Sequence, residues 1–511
     1  MAKVLDKEEI EAKTRAYEEQ LREEMGLGHK QVDHFQKPME RPWTKDQKDG
    51  TTILFGGLTL VHEELVKYAM EGLGYNLRIL PCPDNEALSV GKEYGNRGQC
   101  NPTYYTVGNL VKYLKDLQEA GEQDIEDRYV FVTAGACGPC RFGMYEGEYR
   151  KALRDAGFEK FRVLLFQQTG GLKQSDGQEA LELNAKFALS LVKGVMVGDM
   201  INDLGYKIRP YEITKGQTDR VIREATDYMG VVLREKKSVF RGLRKVRKMF
   251  SGIQADYTRV KPKVKITGEF WAQTTEGDGN YHMFRWLESE GAEVLVEPIG
   301  TWIEYLIWSA KHTFEERAQI DKSKKDVVRK LTLGQVVFRQ WYNFYRWALG
   351  FKTDTLPNQK KLAEYAKAYY NTHLKGGEGH LEIGKNIMTT AEKHAQMVIS
   401  LKPFGCMPST MSDGVQSRVV ADYKDAIYIP IETSGDGEVN VKSRVQMKLY
   451  EAKMKAREEM KELLDEKGVT VEQVREYVDK HPKYRRAMQK LSHHHGVSTA
   501  ANFVGAVAGR V

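Results

Sequence analysis

Along this chain, apolar residues come in short runs separated by amphipathic stretches. From residue 51, "TTILFGGLTLVHEELVKYAMEGLGYNLRILPCP" holds an apolar run, a turn with Gly56 and Gly57, a segment with apolar residues at helical spacing, and a second apolar run. That succession predicts a strand-helix-strand unit. The pattern recurs: "NPTYYTVGNLVKYLKDL" predicts a helix, "RYVFVTAGA" a strand with a turn, "EGEYRKALRDAGF" a helix and "KFRVLLFQQ" a strand. Residues 180–255 read as helical. "KPKVKITGEFWAQ" then restarts the alternation with a strand over 264–268, and "NYHMFRWLESEGAEVLVEPIGTWIEYL" follows as helix, strand and helix. Helical stretches over 306–350 and 359–372 lead to "HAQMVISLKPFGCMPSTM" and "AIYIPIETSGDGEVN", which read as strand, turn, helix and strand. Strands and helices alternating in this way build parallel sheets covered on both faces. The expected fold class is α/β, with two Rossmann-like doubly wound domains over 51–260 and 261–440. An N-terminal helix and arm (1–50) precede them and a helical C-terminal tail (441–511) follows. Ligands of such sheets bind in the loops after the strands.

Composition narrows the class. The 511 residues are 41% hydrophobic and 29% charged, as in a folded chain of more than one domain. The opening "MAKVLDKEEIEAKTRAYEEQL" lacks the apolar core of a secretory signal, and the five cysteines are too few for a disulfide scaffold, so a reducing, cytoplasmic setting is expected. The greasiest stretch, "FALSLVKGVMVGDMI", is interrupted by Lys193 and Asp199, which argues against a membrane span. Net charge is +7, from 78 basic and 71 acidic residues, a mild bias for this length. It is concentrated in "REKKSVFRGLRKVRK" (234–248), with eight Lys or Arg. That segment could touch phosphates or an acidic partner, but no aromatic platform is interleaved to stack bases, so it reads as a solvated helix face.

The thiols carry the candidate chemistry. Cys100 lies in "NRGQCNP", Cys137 and Cys140 in "GACGPC", and Cys406 in "FGCMP", all in loops rich in glycine or proline. Glycine neighbours let backbone amides approach a bulky anionic ligand. Cys82, inside the apolar "ILPCP", reads as a small buried hydrophobe. A structural zinc site would show two close pairs, whereas only Cys137 and Cys140 form one. The Gly-Pro between them suits a thioredoxin-type redox pair, yet the dispersed Cys100 and Cys406 favour an iron-sulfur cluster held by distant loops.

A resemblance extends this reading. "LPCPDNEALSVGKEYGNRGQCNPTYYTVGNLVKYL", "TAGACGPCRFGMYEGEYRKAL", "RPYEITKGQTD", "VKITGEFW", "TWIEYL" and "LKPFGCMPS" with "ETSGDGEVNVKSR" together resemble the acyl-CoA dehydratase activase-related proteins. Those are similar to the catalytic component (D-subunit type) of 2-hydroxyacyl-CoA dehydratases and to double-cubane cluster reductases. The resemblance covers about 50–450, and the PCRFG and FGCMP segments are its most specific parts. It implies a [4Fe-4S] cluster, or a double-cubane [8Fe-9S] cluster, held by Cys100, Cys140 and Cys406. Cys137 stands where relatives often lack cysteine and is an additional candidate ligand. The resemblance further implies an ATP-dependent activator of the sugar kinase, heat-shock chaperone and actin superfamily acting in trans, and a homodimer or related heterodimer. The activity it implies is a difficult reduction or radical dehydration, with a CoA thioester as a candidate substrate. A non-catalytic electron relay or scaffold is the alternative, and a zinc-stabilised protein that binds nucleic acid or an acidic partner is the third.

Other residues add less. No GxxxxGK[ST] occurs, and the pairs Gly56-Gly57 and Gly170-Gly171 read as tight turns, so ATP hydrolysis by this chain is not expected. Arg141, after Cys140, could neutralise cluster charge or bind a substrate acid. Glu269, ending "VKITGE", and Glu432, in "IPIETSGDG", sit where carboxylates reach a cleft between the domains. The histidines at 493–495 are adjacent and do not share a helix face, which weighs against a metal site there.

Overall fold

A computed structural model describes residues 7–25, 41–136, 138–167, 180–374, 378–489, 491 and 494–511. Residues Met1–Arg41 form one unit, whose only described regular element is helix α1 (Lys7–Glu24). Pro42–Val511 form a second, compact unit that contains both sheets.

The first half of that unit runs β1 (Thr52–Phe55), α2 (Leu60–Glu71), β2 (Asn76–Ile79), α3 (Asn85–Tyr94), α4 (Asn101–Glu119), α5 (Ile125–Arg128), β3 (Tyr129–Gly135), α6 (Tyr145–Asp155) and β4 (Arg162–Gln167). The strands form one parallel four-stranded sheet in the order β2-β1-β3-β4. Three helices follow: α7 (Ala185–Ile208), α8 (Gln217–Arg234) and α9 (Val239–Ser251). Expectation and structure agree here because every crossover in the sequence carries an amphipathic helix between apolar runs.

The second half begins with β5 (Lys263–Gly268), α10 (Phe270–Thr274), α11 (Met283–Ser289) and β6 (Glu293–Leu295). The helices α12 (Ile299–Ile320), α13 (Lys325–Ala348), α14 (Gln359–Ala366) and α15 (His380–Ala391) come next, then β7 (Met397–Pro403), α16 (Met407–Asp422) and β8 (Ile427–Thr433). Its sheet is also parallel and four-stranded, in the order β6-β5-β7-β8. All seven residues of β7 are buried, as expected for a strand covered on both faces. In each sheet the first strand lies beside both the second and the third, so the chain reverses its direction of winding between β1 and β3, and between β5 and β7. Those reversal points leave crevices at the carboxyl ends of the strands.

Two expectations change. The helical stretch at 306–350 is a hairpin: α12 ends at Ile320, Asp321 accepts from Ser323 N at 2.9 Å, and α13 folds back so that Arg339 reaches Glu304 at 2.8 Å. The C-terminal tail is part of the core. Helix α17 (Glu438–Lys467) buries Val441, Val445, Leu449, Ala452, Ala456, Met460 and Leu463, a repeat of three and four that marks one helix face. Its first half covers the second sheet. Its second half joins α18 (Val471–Lys480) and α19 (Thr499–Ala508) against the helical core beside the first sheet. Among the described residues, no helix is long and apolar enough to cross a membrane.

Candidate functional site

Cys100 is the N-cap of α4, Cys406 the N-cap of α16, and Cys140 precedes the short helical turn Arg141–Met144 that follows β3. The proline after each of the first two cysteines, Pro102 and Pro408, suits the first turn of a helix because its missing N–H would have no partner there. Both thiols therefore sit at the partially positive ends of long helices.

The three loops meet. Asn101 N donates to Phe404 O at 3.0 Å, and Asn101 Nδ2 donates to Thr433 O at 3.0 Å, tying the Cys100 loop to the ends of β7 and β8. Gly405 has φ +78° and lies so close that a Cβ on it would stand 3.2 Å from Cys100 Cα. Only glycine combines that backbone with that proximity. Arg141 Nε donates to Gly405 O at 3.1 Å, which brings the Cys140 loop to the same place. One thiol loop of the second half thus touches two of the first.

The thiol surroundings differ. Cys100 Sγ lies 3.2 Å from both Thr103 Oγ1 and Tyr145 Oη, and Cys406 Sγ lies 3.4 Å from Ser409 Oγ. Cys100 and Cys406 are buried and Cys140 is half-buried. Burial pushes all three thiols above their ordinary range, Cys140 to about 12, and the charges of Glu269 and Glu378 push Cys140 and Cys406 further. The neutral thiol is the favoured form in this pocket, and thiolates there need a cationic ligand to offset their desolvation.

Glu269 caps α10, with its carboxylate turned inward to accept from Ala272 N at 2.9 Å. Beside it, buried Glu378 accepts from Phe270 N at 2.8 Å. Burial raises Glu269 to about 7 and Glu378 to about 8, with repulsion from Glu269 adding to the latter. Glu382, in the first turn of α15, is also buried and accepts from Ser400 Oγ and Ser412 Oγ. Sequence reasoning does not single out Glu378 and Glu382, because Glu378 precedes the Gly379 cap of α15 and only Glu382 lies within the helix. Glu432 stands apart from this group: it is exposed on β8, close enough to Lys402 for their charges to interact. Alternation along β8 buries Ile431 and Thr433 and turns Glu432 to the exposed side. Cys82 is half-buried, and a Cβ on Gly277 would meet its Sγ at 2.8 Å.

Among the described residues no group of three or more His, Cys, Asp or Glu side chains is gathered to hold a metal ion. Thiolates on a cubane stand roughly 6 to 7 Å apart, wider than the ligands of one ion. The donor set fits a cluster in its chemistry: three thiols from three loops, two of them on helix N-termini, with Arg141 alongside. Cys137, Gly170, Gly171 and His493 lie outside the described residues. No protein-family model matches the chain, and no curated protein matches it.

Proposed function

We propose that this chain is an iron-sulfur enzyme component that takes low-potential electrons from an ATP-dependent activator and carries out a difficult reduction or radical dehydration. The observation that carries the reading is the meeting of the Cys100, Cys140 and Cys406 loops beside the reversal points of two like-ordered sheets. In this reading Cys100, Cys140 and Cys406 hold the cluster, and Cys137 is a fourth candidate. The cluster supplies single electrons and, where an iron is left open, a Lewis-acid position.

The chain's own residues do the rest. Arg141 places positive charge next to Cys140 and fixes Gly405, which holds the Cys100 and Cys406 loops together. Half-buried Glu269 and buried Glu378 form a carboxyl pair that keeps a proton near neutral pH, so it can give one to a departing oxygen or take one from an acidic carbon. A bare electron relay has no use for such a pair, which favours an enzyme over a scaffold. The activator and a dimeric assembly belong to this proposal as partners in trans.

The test is anaerobic purification with iron and acid-labile sulfide counting. Brown protein with about four irons per chain supports the reading, and more iron supports the double cubane. Colourless protein carrying a single zinc would reject it.

A further inference from the structure

The basic segment does not stand alone. Phe240 of α9 stacks on Phe344 of α13 with centroids 4.5 Å apart, and Trp347 lies 5.2 Å from the same ring. The single aromatic residue of the segment, Phe240, is thus joined by two from a helix about a hundred residues further along the chain. Beyond them, α13 presents Leu333, Val337, Gln340, Phe344 and Trp347, spaced alternately by four and three. That is the spacing of a coiled-coil seam, about 20 Å long at 1.5 Å per residue. Its apolar members are unusually open: Leu333, Val337, Phe344 and Trp347 are 65%, 55%, 44% and 55% exposed. The opposite side of the helix buries Phe338, Tyr342, Tyr345 and Ala348, so the seam is an extra apolar face rather than the inward one.

The charge beside it is of one sign. No Asp or Glu occurs from 236 to 254 or from 327 to 353. Over 236–248 there are seven Lys or Arg, and Arg241, Arg244, Lys245, Arg247 and Lys248 are all exposed. Arg247 lies against Gly350, at the end of α13, where a Cβ would meet its Cζ at 2.7 Å. An apolar strip of this kind, interrupted by Gln340 and flanked by α9 cations that form no ion pair among the described residues, marks a surface for a partner.

We propose that the α9–α13 face seats an amphipathic helix of a partner protein, whose apolar ridge follows the α13 seam and whose flanks are acidic. The heptad spacing selects a helix as occupant, because only a second helix repeats contacts every three and four residues. Charge selects an acidic one. A second copy of this chain fits poorly, since pairing two such faces would set the cations of one α9 close to those of the other. Single-stranded nucleic acid would meet the cations, but Leu333, Val336 and Val337 offer it no ring to stack on, and Phe240 and Phe344 already stack on each other. This inference does not depend on the cluster reading.

The test uses the full chain and a synthetic helical peptide of about eighteen residues, with leucine at the seam positions and glutamate on the flanks. A counterpart carries lysine in place of glutamate, and binding is followed by calorimetry. The glutamate peptide should bind at least about tenfold more tightly than the lysine one, and lose most of that advantage in half-molar salt. Trp347→Ala and Val337→Asp should each weaken it by about tenfold with unchanged circular dichroism, since both side chains are largely exposed. Combined Arg241→Glu and Arg244→Glu should reverse the preference between the peptides. Equal binding of the two peptides, or none, would overturn the proposal. So would sedimentation showing a dimer that Val337→Asp dissolves, which would seat a second copy instead. Tighter binding of oligouridine or of anionic lipid vesicles than of the glutamate peptide would also overturn it.

Discussion

The two sheets share a strand order but not a chemistry. Cys140 follows β3 and Cys406 follows β7, the third strand of each sheet, so the two thiols occupy like positions in like frames. The first half contributes hydroxyls near the thiols, Thr103 and Tyr145 at Cys100. The second contributes one hydroxyl, Ser409 at Cys406, and two carboxyls, Glu269 and Glu378, whose charges reach both Cys140 and Cys406. The frame repeats because parallel winding allows few alternatives, whereas loop residues are free to diverge once the strand ends hold them. In the proposed function, the first half chiefly binds and the second also moves protons.

The sharpest way to break the comparison is to remove thiols from each half in turn. Cys140→Ala and Cys406→Ala should each lose most of the iron retained after anaerobic purification, because a vacated position leaves iron without a thiolate in a dry pocket. Cys137→Ala should keep it. Loss in only one of Cys140→Ala and Cys406→Ala would mean that a single half holds the cofactor.

A second difference lies at the end of the first strand of each sheet. Gly268 has φ +119°, and a Cβ there would stand 1.9 Å from Leu401 O, whereas one on Gly56 would find nothing nearer than 3.5 Å. Gly268→Ala should therefore cost about 3 kcal/mol or more, and Gly56→Ala less than about 1 kcal/mol. Chemical denaturation of both variants measures this, and similar costs would show that the strand ends are equally tolerant.

Much of the frame was legible, because β-branched runs separated by amphipathic helices have one economical arrangement. The thiol loops were legible too, since glycine and proline beside cysteine mark a turn that presents a side chain. Glu378 was not, because its role comes from lying against Phe270, more than a hundred residues away in sequence. For Glu432 the motif gives the strand, but only register tells which face it takes. The aromatic neighbours of the basic segment were likewise hidden in another helix.

The carboxyl pair predicts a pH dependence belonging to the second half. In the unfolded chain both groups ionise near 4.5; in the fold Glu269 rises to about 7 and Glu378 to about 8, so the native state holds protons that the unfolded state has released. The stability they confer is full below about pH 4.5 and declines as pH rises through 7 to 8, by a few kcal/mol across the window. Glu378→Gln keeps an acceptor for Phe270 N without the charge and should flatten the decline in the cluster-free protein. Melting curves from pH 5 to 9 that run parallel for the two proteins would contradict this.

The smallest effect is expected at Tyr145, which marks the chemistry of the first half. Its hydroxyl is buried 3.2 Å from Cys100 Sγ, and its ring meets Phe142 edge-on with centroids 5.0 Å apart. Tyr145→Phe preserves the ring and removes one hydrogen bond to sulfur, and Thr103 Oγ1 at 3.2 Å remains to serve the thiol. The cost to stability should be about 1 kcal/mol or less, the net worth of a hydrogen bond whose partner keeps another. With a cluster bound, the same change removes a donor to a ligand sulfur, so the reduction potential should fall while the iron content holds, because hydrogen bonds to ligand sulfurs stabilise the more negative, reduced state. Redox titration of Tyr145→Phe beside Ser409→Ala, the hydroxyl 3.4 Å from Cys406 Sγ in the other half, compares the two sites directly. A potential that moves in only one of them would show that the two halves do not share one cluster.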